Sequence, residues 1–283
     1  MSRHIIMFCT LLVGAIIPVQ AQKTANFPPV RQLSYADVTD MALAGQLAVQ
    51  VRIRKAIRIS GAQAKTVLAG RKRFLVEADV MTLIRGSGGL APRITYLIDI
   101  APNAKGKIPK LTDGQALIFA TPVVGRPSEV RLVSPDAQIA ATPARVAQIR
   151  SILSEALAVN APPVISGIAN AFHVAGAIPG EGETQIFLET AQDRPVSISV
   201  LRSPDNPTTW SVSLGEIVDQ GAGPPQTNTL IWYRLACFLP NALPESVLSE
   251  LSPNNAQIAA EDYRIVLEGL GGCPRTLTIR PGT

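Results

Sequence analysis

Apolar and polar residues alternate in several short stretches of the first half of the chain, and such alternation is typical of β-strands with one buried face. The predicted strands lie at residues 47–53, 74–80, 94–100, 116–121 and 129–133. Five short strands joined by long loops favour a small closed or half-closed β-barrel. The nearest analogue in fold is the barrel that binds oligonucleotides and oligosaccharides, the OB-type barrel.

A short helix is predicted just before the first strand. Ser34 and Asp37 have the spacing of a capping box, with Asp in place of the usual Glu, and Gly45 ends the helical pattern. The first half of the chain is therefore predicted to be a helix followed by a β-barrel.

The second half combines helical and strand patterns. Thr142 and Pro143 carry the signals of a helix start. The apolar stripe of this helix consists of Val146, Ile149, Leu153 and Leu157. Strands are then predicted at 164–174, 184–190, 196–202 and 210–214, and helices at 243–251 and 256–270. The apolar residues of segment 229–239 fit both the two-residue period of a strand and the 3.6-residue period of a helix, and we interpret the segment as a helix. The predicted fold class is α+β, with an antiparallel meander and flanking helices in this half.

Charge divides the chain into the same two parts. Residues 23–141 contain 17 Lys and Arg against 8 Asp and Glu, whereas residues 142–283 contain 8 against 13. A division this strong indicates two surfaces with different partners, or two domains that attract each other. We predict a basic barrel-like domain at 22–141 and an acidic α+β domain at 142–283.

The first 21 residues have the pattern of a secretory signal peptide. Arg3 and His4 precede an apolar stretch, and Val19-Gln20-Ala21 places small residues where a signal peptidase cleaves. No later stretch is long and apolar enough to predict a membrane span. The expected location of the mature protein is the periplasm or the exterior of the cell.

Export determines which cysteines remain in the mature protein and whether they can form a disulfide bond. Cys9 lies in the signal segment, which leaves Cys237 and Cys273 in the mature chain. Two cysteines in an oxidising compartment predict one disulfide bond. A redox role is disfavoured because no Cys-x-x-Cys spacing is present.

Basic residues on and between the predicted barrel strands are candidates for binding a polyanion. They are Arg52, Arg54, Arg71, Lys72, Arg73, Lys105, Lys107 and Lys110. Nucleic acid is disfavoured because base stacking needs exposed aromatic rings. Phe74 and Tyr96 alternate in step with the predicted core residues of their strands, so their rings are predicted to be buried. Lipid phosphate, acidic polysaccharide or another envelope protein are the partners that remain, and solvated charge is the simplest alternative.

One hairpin carries the most chemically suggestive residues. His173 is the only histidine beyond the predicted signal peptide, and Glu181 and Glu183 follow it across a predicted turn. If Glu183 lies opposite His173, the pair could act as general acid and base. Turn geometry and local hydrogen bonding explain the same residues without catalysis.

Two functional hypotheses follow from these patterns. The first is a non-catalytic binding or assembly module of the cell envelope, which the scarcity of catalytic residue types favours. The second is a periplasmic hydrolase that uses the His173 and Glu183 hairpin. No Gly-x-Ser-x-Gly elbow occurs, and a zinc site would need mostly carboxylates, so neither a cofactor nor a metal is predicted.

Overall fold

The structure is a computed structural model that describes residues 33–103, 105–215 and 223–277. The predicted signal peptide at 1–21 lies outside the described residues. Within these ranges, no helix is long and apolar enough to cross a membrane.

The described chain forms helices and strands in the following order: α1 Tyr35–Ala44, β1 Leu47–Ile59, β2 Lys72–Arg85, β3 Arg93–Ile100, β4 Gln115–Val123, β5 Arg126–Leu132, β6 Gln138–Ala140, α2 Pro143–Leu157, β7 Ile165–Ala175, β8 Gly182–Thr190, β9 Ser197–Ser203, β10 Asn206–Ser213, α3 Leu230–Ala236, α4 Glu245–Leu248 and α5 Pro253–Leu270. A 3-10 turn at Gly61–Ala64 lies in the loop between β1 and β2. The α+β class is confirmed.

Strands β1 to β5 form a closed barrel, as the alternation predicts. The sheet runs β1-β2-β3-β5-β4, and β4 pairs with β1 to close it. All neighbouring strands are antiparallel except β3 and β5, which run parallel and pair at one position, Thr95 with Glu129. β6 pairs with β4 beyond the end of β5.

The barrel interior is filled by the apolar residues of each alternating pattern. The buried members are Leu47, Val49, Val51, Ile53, Val76, Ala78, Ile94, Tyr96, Ile98, Ile100, Leu111, Ala116, Ile118, Ala120 and Val130. Phe74, near the start of β2, is partly buried and packs against this core. Of the two aromatic rings considered for base stacking, Tyr96 therefore lies inside the barrel and Phe74 packs at the edge of its core.

Strands β1 and β2 are much longer than the alternation indicates. The register of β1 against β2 shifts between Ile53 and Lys55, which is a β-bulge. The bulge breaks the two-residue period, and the pattern in the sequence therefore ends at Ile53 although the strand continues to Ile59. The short strand β6 carries too little pattern to be predicted.

The second half forms an antiparallel sheet with helices on one face. The strand order is β10-β9-β8-β7, and α4 and α5 pack against β7. Thr229 caps α3 by accepting a hydrogen bond from the backbone N–H of Trp232, so the ambiguous segment begins as a helix. Trp210 and Trp232 are both buried in this second core.

Helix α1 packs with the second core, although it precedes the barrel in sequence. Ala36, Val38 and Met41 are buried among the residues of that core. The carboxylate of Asp37 completes the capping box with Ser34 and also accepts hydrogen bonds from the backbone N–H groups of Thr276 and Leu277, each at 2.8 Å. The first helix is thereby fastened to the C-terminal segment.

The predicted disulfide between Cys237 and Cys273 is confirmed. It joins the end of α3 to the segment that follows α5, with the two Cα atoms 4.8 Å apart. Arg275 continues this connection by forming an ion pair of 2.7 Å with Asp40 of α1. The bond is compatible with an oxidising, extracytoplasmic location.

We expect Asp37→Asn to destabilise the protein by about 1–3 kcal/mol at pH 7, because buried backbone donors lose a charged acceptor. Burial raises the pKa of Asp37, but the hydrogen bonds from Thr276, Leu277 and Ser34 outweigh it and hold the pKa below its ordinary value. The stabilisation is complete above the unfolded pKa of about 4 and disappears as the pH falls through the lower folded pKa.

Urea unfolding at neutral and acidic pH measures this effect. The difference between Asp37→Asn and the unchanged protein should shrink in acid. Asp205→Asn, in an exposed turn, is the matched control and should leave stability unchanged. Equal stability of the Asp37 variant and the unchanged protein at pH 7 would contradict the assigned anchoring.

Candidate functional site

An open groove of about 920 Å³ lies on the outer surface of the barrel. One wall is formed by the outward side chains of β3, including Thr95, Leu97 and Asp99, and the other by β5 and the residues that follow it, including Glu129 and Arg131. The β1–β2 loop and the β4–β5 turn lie at its margins. We call this feature the barrel groove.

A row of apolar side chains crosses the outer face beside the barrel groove. Ile57 pairs with Leu75, and Leu75 pairs with Leu97, so one side chain from each of three strands lies in line. Leu97 is 50 % exposed and Ile57 is 44 % exposed. Large apolar side chains that are exposed together on a sheet face are a common mark of an interaction surface.

The two walls of the groove are joined at both ends. Thr95 and Glu129 form the single backbone pairing between β3 and β5. At the other end, the Arg71 guanidinium donates to the backbone oxygen of Asp99 at 3.0 Å and to the carboxylate of Asp136 at 2.8 Å. Arg71 therefore bridges the gap where the two strands no longer pair.

Three of the candidate polyanion residues are already engaged by carboxylates of the barrel. Arg73 forms a bidentate pair with Asp99 at 2.7 and 2.8 Å, and these bonds raise the pKa of its guanidinium. Arg54 pairs with Asp79, and Arg71 pairs with Asp136. These arginines neutralise strand and loop carboxylates rather than presenting unpaired charge.

The remaining candidates differ in their surroundings. Lys110 forms an exposed pair with Asp113 at 3.1 Å, which contributes little in high-dielectric solvent. For the side chains of Arg52, Lys72, Lys105 and Lys107, the described chain provides no hydrogen bond or ion pair. Among these candidates, the charge without a partner thus lies on the loop after β3 and on the outer faces of β1 and β2.

The hairpin of β7 and β8 has a different register from the one considered for catalysis. His173 pairs with Thr184, while Glu183 pairs with Val174 on the opposite face of the sheet. Glu183 accepts a hydrogen bond from Gln185 at 2.8 Å, and Glu181 is exposed in the turn. The structure therefore does not bring either glutamate together with the imidazole.

His173 instead belongs to a buried polar network beneath α5. Its Nδ1 lies 2.9 Å from the hydroxyl of Thr184, and that hydroxyl donates its proton to Asp262. Because a threonine hydroxyl has one proton, Nδ1 of His173 is the donor to Thr184. Arg202 completes the network with an ion pair to Asp262 at 2.6 Å.

The ring of His173 is closely covered. A Cβ atom on Gly182 would lie 2.6 Å from Cε1 and 2.9 Å from Nε2 of the imidazole, so glycine is needed at this position. His173 is 8 % exposed and both Thr184 and Asp262 are fully buried. This arrangement fastens α5 to the sheet and leaves the imidazole little contact with solvent.

Two features of these sites could not be predicted from the sequence patterns. The barrel groove is assembled from residues far apart in sequence, and no local pattern shows that β3 and β5 diverge. Asp262 lies on the apolar face of α5, which is the one signal that it is buried with a partner. In the described ranges, no group of three or more His, Cys, Asp or Glu side chains could hold a metal ion.

Comparison with known proteins adds no functional assignment. No protein-family model matches the chain, and a search of curated proteins finds no significant match.

We expect Thr184→Val to lower the free energy of unfolding by about 2–4 kcal/mol, because the buried Nδ1–H of His173 and an oxygen of Asp262 both lose their partner. Chemical denaturation measures the change. Thr209→Val is the matched control, since Thr209 occupies an exposed position on β10 of the same sheet. The network assignment fails if both variants are equally stable.

Proposed function

We propose that this protein is a non-catalytic binding or assembly module of the cell envelope and that the barrel groove is its working surface. The barrel groove is the observation that carries the proposal. It combines a concave shape, an exposed apolar row and charged margins on one face of a rigid scaffold.

The position of the groove supports an OB-like interpretation of the barrel. In OB-type barrels, the face of the second and third strands and the loops after the first and fourth strands bind ligands. Here Arg73 and Leu75 of β2 and Leu97 of β3 line the groove, with Gln63 of the β1–β2 loop and Val123 at the β4–β5 turn. This is an analogy of fold and names no ligand.

The charges around the groove support an anionic partner or another envelope protein. Arg131 lines the groove, and its guanidinium has no ion-pair partner in the described chain. Lys105 and Lys107 carry further positive charge on the loop after β3, outside the lining of the groove. Their attraction for an anionic partner should weaken with salt.

The alternative of a hydrolase centred on His173 has less support. A general base needs access to the proton that it abstracts. The Nδ1 atom of His173 is engaged by the buried hydroxyl of Thr184, and Gly182 lies against the other side of the ring. Glu183 lies on the opposite face of the sheet.

Hydrogen exchange of the full chain, with heparin, anionic phospholipid vesicles and an envelope-protein extract as separate probes, tests the binding surface. At least one probe should protect β2, β3 and β5, because contact with the groove excludes solvent from it. We expect Leu97→Asp to weaken that binding by about tenfold or more, since it places a charge in the apolar row.

Leu201→Asp provides the matched control. Leu201 is 51 % exposed on a strand of the second sheet, nearly the same exposure as Leu97, and its replacement should leave binding unchanged. Protection confined to the second sheet, an equal effect of the two substitutions, or no protection by any probe would overturn the proposal.

A further inference from the structure

The backbone of β3 has one side that its neighbours leave partly unused. In an antiparallel ladder, hydrogen-bonded pairs alternate along the strands. The backbone N–H of Val80 donates to the oxygen of Pro92 at 2.8 Å, so Ile94, Tyr96 and Ile98 direct their backbone groups toward β2. The groups of Thr95, Leu97 and Asp99 point the other way, toward β5.

Two of these three outward residues have identified partners. Thr95 lies at the single pairing with Glu129, and the oxygen of Asp99 accepts the Arg71 guanidinium. Leu97 lies between them, and in the described chain no residue of β5 is in register with it, which leaves its N–H outside the ladder. A strand edge of this kind is a template for pairing with another polypeptide.

The barrel groove lies alongside this free edge. β3 provides the unpaired N–H of Leu97, the side chains of Leu75 and Leu97 form an apolar surface on β2 and β3, and β5 forms the opposite wall. We propose that the seam between β3 and β5 binds an extended polypeptide segment, which pairs with the edge of β3. The inference rests on the proposed function and names the partner class of the same groove.

The backbone chemistry favours a polypeptide over a lipid or a polysaccharide. An extended peptide offers alternating N–H and C=O groups at the spacing of the Leu97 donor and acceptor, and alternate side chains point to one face. Those on the inner face would pack on Leu75 and Leu97. An acidic side chain near Arg131 would complement its unpaired guanidinium.

Selection from a display library of short random peptides, with the full chain as target, provides the probe. We expect the enriched peptides to alternate apolar residues with polar or acidic ones. They should bind Leu97→Ala, which keeps the backbone N–H, more than about tenfold better than Leu97→Pro, which lacks it. The N–H of Leu97 does not serve the ladder to β2, so proline is tolerated there as on other strand edges.

N-methylation of the selected peptides tests the same contact without changing the protein. Methyl groups on the peptide amides that face β3 should weaken binding by about tenfold or more, and methyl groups on the alternate amides should have a smaller effect. This comparison remains decisive if Leu97→Pro fails to fold.

Three results would overturn the inference. Equal binding of the peptides to Leu97→Pro and Leu97→Ala would exclude the edge of β3. An equal loss of binding whether the methyl groups are on the amides that face β3 or on the alternate amides would exclude strand pairing. Failure to enrich any groove-binding peptide would exclude a polypeptide partner. If heparin or vesicles still protect the groove in that last case, the proposed function survives; if they do not, both proposals fail.

Discussion

Closure of the barrel through β1 and β4 is the constraint on which the shape of the groove depends. β1 occupies one edge of β4 along residues 47–52, so β5 and β6 share the other edge. The chain between them follows β4, as the bonds of Phe119 with Val133 and Ala137 show. The register of β5 with β3 is limited to Glu129. Arg71 closes the far end of the groove with side-chain hydrogen bonds instead of strand pairing.

The same geometry reduces the amount of unpaired positive charge on the barrel. Arg71 and Arg73 belong to a basic run in the sequence, yet neither presents free charge. Arg71 bridges the gap in the barrel by bonding Asp136. Arg73 forms a bidentate pair with Asp99, and the two side chains are only 16 % and 10 % exposed. Because Asp99 and Asp136 neutralise them, they add little to the field outside the protein. The positive field outside the barrel comes from the lysines and arginines without an ion-pair partner in the described chain, Arg52 and Arg131 among them, and it is weaker than the charge count of this half indicates.

Much of the architecture could be predicted from local pattern, since alternation, capping and turn residues act over a few positions. Ser34, Thr142 and Thr229 each cap the helix that follows them, and the barrel strands coincide with the alternating stretches. What could not be predicted depends on register. The bulge after Ile53 extends β1 beyond its pattern, and a shift of one residue in the hairpin turns Glu183 away from His173 and puts Thr184 in its place. Asp262 and the two walls of the groove come together only through tertiary contacts.

The second half of the chain determines which side of the barrel is covered and which side is exposed. Ala48 of β1 and Leu117 and Phe119 of β4 point out of the barrel into the second core, where α1 covers them. Helix α1 is held there by Asp37 and Asp40, through the C-terminal segment that the disulfide joins to α3. The exposed apolar row beside the groove, with Ile57 of β1, Leu75 of β2 and Leu97 of β3, lies outside this covered part of β1 and β4. The acidic half thus shapes the surface to which we assign the proposed binding, because it covers one face of the barrel and leaves the groove exposed on the other.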